Sequence, residues 1–320
     1  MGKKKDTKKE NVIEKKIPAK GWIKSDYIYI GIYLLLVILI FGPGLAQNKT
    51  LFGTDSISAG YFFRDFYASF IKTYQAIPLW NPFIHAGLPF IEGMHGDTLY
   101  PTTILKFLMP THTAMALKLV LHIFLAGLFA YLFFKRKTGE RIIGFFGGLG
   151  WMMSPVLVSY IYSGHDGKMY VTSLLPLVLY VLDLALKSRR LYHYLLLGLC
   201  IALLVLTAHI QMAYFACWAI GLYFVYNIIF VKKVIKKWGH ILLFLLAIIV
   251  GLLISSVQLI PQYKYVGTYS MRTMHTEEAK TGYEYSTSWA FGIEEFVSLF
   301  ISEFSGINVD QKNTYWGRNP

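Results

Sequence analysis

The sequence predicts an all-α polytopic membrane protein with about seven transmembrane helices and a long first extracytoplasmic loop that carries juxtamembrane helices. Three observations lead there. The 320 residues are 55% hydrophobic and only 15% charged, a balance that is rare in a soluble domain of this length. The apolar residues gather in stretches of about 20, the length that crosses a bilayer as a helix. Basic connectors separate those stretches at alternate junctions, as a chain threading back and forth through a membrane requires.

In chain order, residues 1–26 form a lysine-rich tail too charged to be a signal peptide. The expected spans are 27–46, 112–134, 142–162, 169–186, 191–208, 212–230 and 240–260, so 27–260 reads as a transmembrane domain with an extracytoplasmic loop at 47–111. The tail and the connectors Lys135-Arg136-Lys137, Lys187 to Arg190 and Lys232 to Lys237 all fall on one side, which the positive-inside rule assigns to the cytoplasm. The expected location is the plasma membrane with the N-terminus inside. The long first loop, "SGHDGK", the turn at "AHIQM" and residues 261–320 then lie outside, the last reading as the start of a region truncated here.

The net charge of +13 is concentrated on the cytoplasmic segments, so anionic lipid headgroups are the expected partner and nucleic acid is not. Cys200 and Cys217 sit in apolar segments and suggest neither a disulfide framework nor a thiolate metal site. Gly144, Gly147, Gly148 and Gly150 fit close packing between helices.

Within the first loop, "SAGYFFRDFYASFIKTYQ" repeats apolar residues at three- and four-residue spacings, the pattern of an amphipathic helix on the membrane surface. "IPLWNPFIHAGLPF" follows as a folded lid segment. Ionisable groups near a membrane carry information because burying them is costly. Asp55, Asp65, His85, Glu92, His95 and Asp97 lie in the first outer loop, His165, Asp166 and Lys168 in the second, and His209 with Gln211 in the third. The spans are nearly free of charge, with Asp183 near an inner end as the exception, and His122 reads as a hydrogen-bonding packing residue.

Asp55 follows the first span closely and stays at headgroup level, which makes it the candidate catalytic base. Asp65, ten residues on, would lie about 15 Å away and on another face if one helix held both. In "SGHDGKMY", Gly164 and Gly167 permit a tight turn. That turn would present Lys168 to a lipid phosphate, with His165 as a second donor and Asp166 orienting the histidine or holding a metal. A surface turn with a local Asp166–Lys168 pair is the alternative.

"FGTD", "PLWNPFIHAGLPF", "YPTTIL", "SGHDGKMY", "AHIQMAYF" and "YWG", in this order, resemble the bacterial YfhO-like membrane proteins, which are similar in layout to the GT-C glycosyltransferases. The resemblance implies a sugar donor on a polyprenyl phosphate, a cell-surface acceptor and an outer-face site, with Asp55 as base. Asp65, His95, Asp97, His165, Asp166, Lys168, His209 and Gln211, gathered on the expected outer face, are the substrate-binding candidates. Some GT-C enzymes place a divalent cation, for which Glu92, Asp97 and Asp166 are the available carboxylates; no D-x-D pair occurs in the first loop. A non-enzymatic transporter, flippase or scaffold for surface polymers is the competing class.

Overall fold

A computed structural model describes residues 22–47, 49, 51, 53–84, 86–94, 96–231, 237–269, 292–301, 304, 306, 308–309 and 312–313. His85 and His95 lie outside them, as does much of the expected cytoplasmic tail. The chain divides into two units, Met1–Gln258 and Leu259–Pro320.

The first unit is built from helices. In order they are α1 (Lys24–Ala46), α2 (Tyr61–Tyr74), the single turn α3 (Leu105–Leu108), α4 (Thr111–Thr138), α5 (Arg141–Met152), α6 (Pro155–Ser163), α7 (Asp166–Ser188), α8 (Leu191–Leu206), α9 (Ile210–Phe230) and α10 (Lys237–Tyr269), the last belonging to this unit as far as Gln258. A small antiparallel ribbon, β1 (Trp80–Asn81) on β2 (Leu88–Pro89), folds the lid segment. In the second unit the described elements after α10 are a short 3₁₀ turn at Ile293–Leu299 and the ribbon β3 (Asn308–Val309) on β4 (Lys312–Asn313).

Among the described residues six helical segments are long and apolar enough to cross a membrane, where seven were expected. The exception is α8, which at 16 residues extends about 24 Å and falls short of a bilayer's hydrocarbon thickness. The stretch 142–162 is also two helices rather than one. Pro155 denies the helix a backbone donor and pushes Ser154 into an extended conformation, so α5 stops at Met152 and α6 restarts with the Ser154 hydroxyl accepting from the Val156 amide at 3.4 Å.

The long helices run between two ends. At one end Asp26 of α1 pairs with Lys135 and with Arg141, the latter at 3.3 Å, and accepts the Tyr131 hydroxyl. There Asp183 of α7 meets Arg136 at 2.5 Å, Lys137 at 3.2 Å and Lys187 at 3.1 Å. Tyr194 and His240 bond at 2.6 Å where α8 and α10 begin. Lys135, Arg136, Lys137 and Lys187, from two of the basic connectors, thus cluster here and are partly neutralised by two enclosed carboxylates, while Lys232 to Lys236 lie outside the described residues. At the other end Gln258 donates to the Val205 carbonyl at 3.4 Å, so α8 and α10 run in the same direction.

Packing centres on α4 and α7, with Tyr131, Tyr170, Leu182 and Val178 fully enclosed. Gly144 and Gly148 of α5 are buried where α4 and α1 come close; a β-carbon at Gly144 would lie 2.8 Å from Cβ of Lys135, and one at Gly148 would strike the Tyr33 hydroxyl. In lipid, where apolar side chains gain little by leaving the bilayer, such close approach is what holds helices together. Gly150 faces open space, and Cys217 is exposed while Cys200 is buried.

Candidate functional site

Three connections meet at the end opposite the basic connectors. Gly53 and Gly164 put two backbones in direct contact: a β-carbon on Gly53 would come within 2.5 Å of the Ile161 carbonyl, and one on Gly164 within 2.5 Å of the Ser56 amide. Gly164 has φ +82°, the left-handed conformation that closes α6 and that glycine adopts at no steric cost. The contact sets Gly53 to Asp55 against Ser163 and Gly164. Gly167 brings in the third connection, since a β-carbon there would lie 3.1 Å from the Thr207 carbonyl and from Cβ of His209. Gly167 is helical and forms no turn, contrary to the expectation from its sequence setting.

Here Asp55, with 61% of its side chain exposed, accepts from His165 Nε2 at 3.0 Å. Lys168 Nζ lies 3.0 Å from His165 Nδ1. An ammonium only donates, so Nδ1 is the accepting nitrogen and Nε2 carries the proton that points at Asp55. Asp55, His165 and Lys168 therefore form one chain. Asp166 and Lys168 do not pair: both lie in the first turn of α7, where residues two apart diverge while residues three apart, such as His165 and Lys168, meet.

Behind this chain lies a buried ionic cluster. Arg64 of α2 donates through Nε to Asp97 at 3.1 Å, through a second nitrogen to the Gly60 carbonyl at 2.9 Å, and through the third to Asp166. Its guanidinium also packs against Gly96, whose φ of +90° turns the chain around it. Lys106 donates to Asp97 at 2.8 Å and to Thr103 Oγ1 at 3.0 Å, and Lys118 pairs with the other Asp97 oxygen. The side chains of Asp97, Lys106 and Lys118 are each 1% exposed. Burial presses the Lys106 ammonium well below its ordinary value, Arg64 pushes the same way, and Asp166 opposes.

The remaining candidates are placed apart or at the rim. Asp65 accepts the Thr111 hydroxyl at 2.7 Å, tying α2 to the start of α4. His209 precedes α9 and accepts the Met212 amide at 3.3 Å; burial lowers its pKa from 6.5, and Lys168 lowers it further. Gln211 is exposed in the first turn of α9. Glu92 encloses one carboxylate oxygen with no hydrogen-bond partner among the described residues. His122 donates from Nδ1 to the Lys118 carbonyl at 2.7 Å and accepts the Tyr100 hydroxyl at 2.9 Å, a packing role. No group of three or more metal-ligating side chains occurs among the described residues.

Residues 99–302 match the family described as "6-pyruvoyl-tetrahydropterin synthase related domain; membrane protein". The chain belongs to this family. The match takes in α4 to α10 and the whole of "SGHDGKMY", whereas Asp55, Arg64 and Asp97 precede it. Membership in this related-domain family establishes a polytopic membrane protein and carries no specific activity with it. Searches against curated proteins and against solved structures give no match.

Arg64, Lys106 and Lys118 were not among the residues singled out from sequence. Lys118 contradicts the expectation that the spans are nearly free of charge apart from Asp183: it is the eighth residue of α4, about 10 Å into the helix. A lone lysine within an apolar stretch demands a buried partner, and that demand was the available signal. Arg64 was marked in the same way, because it shares the buried stripe of α2 with Phe63, Tyr67 and Ala68.

Proposed function

We propose that this chain is a membrane glycosyltransferase of GT-C-like layout, moving a sugar from a polyprenyl-phosphate donor to a cell-surface acceptor on the extracytoplasmic face. The YfhO-like order of motifs supports the reading. The observation that carries it is the exposed Asp55 carboxylate held by His165, with the Lys168 ammonium on the histidine's other side. Asp97 and Asp166 are engaged by cations, which leaves Asp55 as the accessible carboxylate of this group.

In this reading the acceptor oxygen bonds to the anomeric carbon as the bond from that carbon to the phosphate oxygen breaks. The polyprenyl phosphate leaves with the bonding electrons, Asp55 takes the acceptor's proton, and Lys168 neutralises the departing phosphate. His209 and Gln211 orient sugar or carrier at the rim. The basic end faces the cytoplasm and its lipid headgroups by the positive-inside rule.

Membranes containing the full-length protein should consume a radiolabelled polyprenyl-phosphate sugar, and Asp55→Asn should cut that rate about 10²–10⁴-fold at unchanged membrane level. Asp65→Asn should cost much less. No consumption by the wild type, or an active Asp55→Asn beside an inactive Asp65→Asn, overturns the assignment. A transporter or flippase is the second reading, favoured by Lys118, since a buried charge within a span is a common mark of a transport path.

A further inference from the structure

A divalent cation, if this fold used one, would be drawn to the carboxylates that the first and second outer connections bring together, Asp97 and Asp166. Those carboxylates do not fit one. Arg64 already reaches both, and Lys106 and Lys118 fill the remaining approaches to Asp97. Three cations face two carboxylates, so the cluster is positive with both lysines charged and neutral with one of them deprotonated. In neither state does it attract a further doubly charged ion, and a metal would have to displace groups whose side chains are 1–6% exposed.

We propose that the Arg64 guanidinium bridges Asp97 to Asp166 in place of a divalent cation, so that the site beside Asp55, His165 and Lys168 is organised by fixed organic cations and works without metal. The bridge ties α2 and the first outer loop to the N-terminus of α7, the job a metal does when it joins carboxylates from distant segments. A planar guanidinium suits it because its donors diverge in fixed directions, which a single ammonium cannot copy. The inference deepens the glycosyltransferase reading by removing the metal from it.

The test uses the full chain in lipid nanodiscs and does not depend on turnover. EDTA should move the thermal midpoint by less than about 1 °C, and Mn²⁺ added alone should give no bound signal in electron paramagnetic resonance. Arg64→Ala should lower the midpoint by roughly 5–10 °C, and millimolar guanidinium, unlike tetramethylammonium, should restore part of the loss. If Arg64→Ala does not accumulate, Arg64→Lys should show a smaller fall in the same direction. Stoichiometric Mn²⁺ bound by the wild type and lost in Asp97→Asn, or an unchanged midpoint in the Arg64 variants, overturns the proposal. Absence of sugar transfer alone would instead count against the glycosyltransferase reading and leave the bridge standing.

Discussion

Replacing Gly164 by alanine tests whether the connections after α1 and α6 are held by backbone contact. The substitution adds one carbon at φ +82°, where a non-glycine residue costs about 1–2 kcal/mol. The new carbon would also lie 2.5 Å from the Ser56 amide and 3.1 Å from the Asp55 amide, groups that cannot swing aside as a side-chain tip can. Overpacking of that kind costs about 1–3 kcal/mol, so the total is about 3 kcal/mol, or roughly 6–12 °C in a thermal midpoint. Gly53→Ala meets the same contact from the other side and should lose only the overpacking part. Because the two share one contact, the double variant should lose less than the sum of the singles. Gly150→Ala is the control: nothing lies within 4 Å of its added carbon, and removing a helical glycine should be neutral or mildly stabilising. The assay is thermal unfolding of the full chain in nanodiscs. Midpoints for Gly53→Ala and Gly164→Ala within about 1 °C of wild type would refute the loop-on-loop contact.

Two further outcomes are expected. In a background lacking Cys200 and Cys217, cysteines at Leu79 and Thr98 should react with an impermeant thiol reagent applied to intact cells, and one at Ser188 should not; the reverse pattern would invert the orientation. Gly164, crowded as it is, should not carry such a reporter. His209 has a pKa below its ordinary 6.5, so between its folded and unfolded values the unfolded chain binds more protons. Stability should be full above about pH 6.5 and fall as pH drops through that range. His209→Asn, which keeps a capping acceptor for the Met212 amide, should flatten the slope, and an unchanged slope would assign the effect elsewhere.

Much of the architecture was legible because hydropathy and basic connectors report on the solvent directly. The expected span 169–186 corresponds to α7 at Asp166–Ser188, and 112–134 to α4 at Thr111–Thr138. The helices run past their apolar stretches because polar ends such as Lys135 to Lys137 find ion pairs there. Asp55, His165 and Lys168 were picked out as residues, but their mutual contacts follow from Gly53 meeting Gly164 across 111 positions, which no local pattern encodes. The buried cluster was hidden for a different reason. In a chain with 31 lysines and arginines, Lys106 looks like a further member of a solvated basic population. Only the three-dimensional meeting with Asp97 separates it from that population and supplies the partner that Lys118, within an apolar stretch, demands.

The junction around Asp26 has a consequence for how the protein is made. This carboxylate sits in the first turn of α1 and is fully enclosed, yet its partners Tyr131, Lys135 and Arg141 lie 105, 109 and 115 residues further along the chain. At synthesis rates of about 5–20 residues per second, α1 leaves the ribosome roughly 5–20 s before any of them. During that interval the Ile23 amide, which donates to Asp26 at 2.7 Å, is its nearby partner in the chain, and water supplies the rest. The enclosed arrangement of Asp26 is complete only once α4 and the start of α5 have been made.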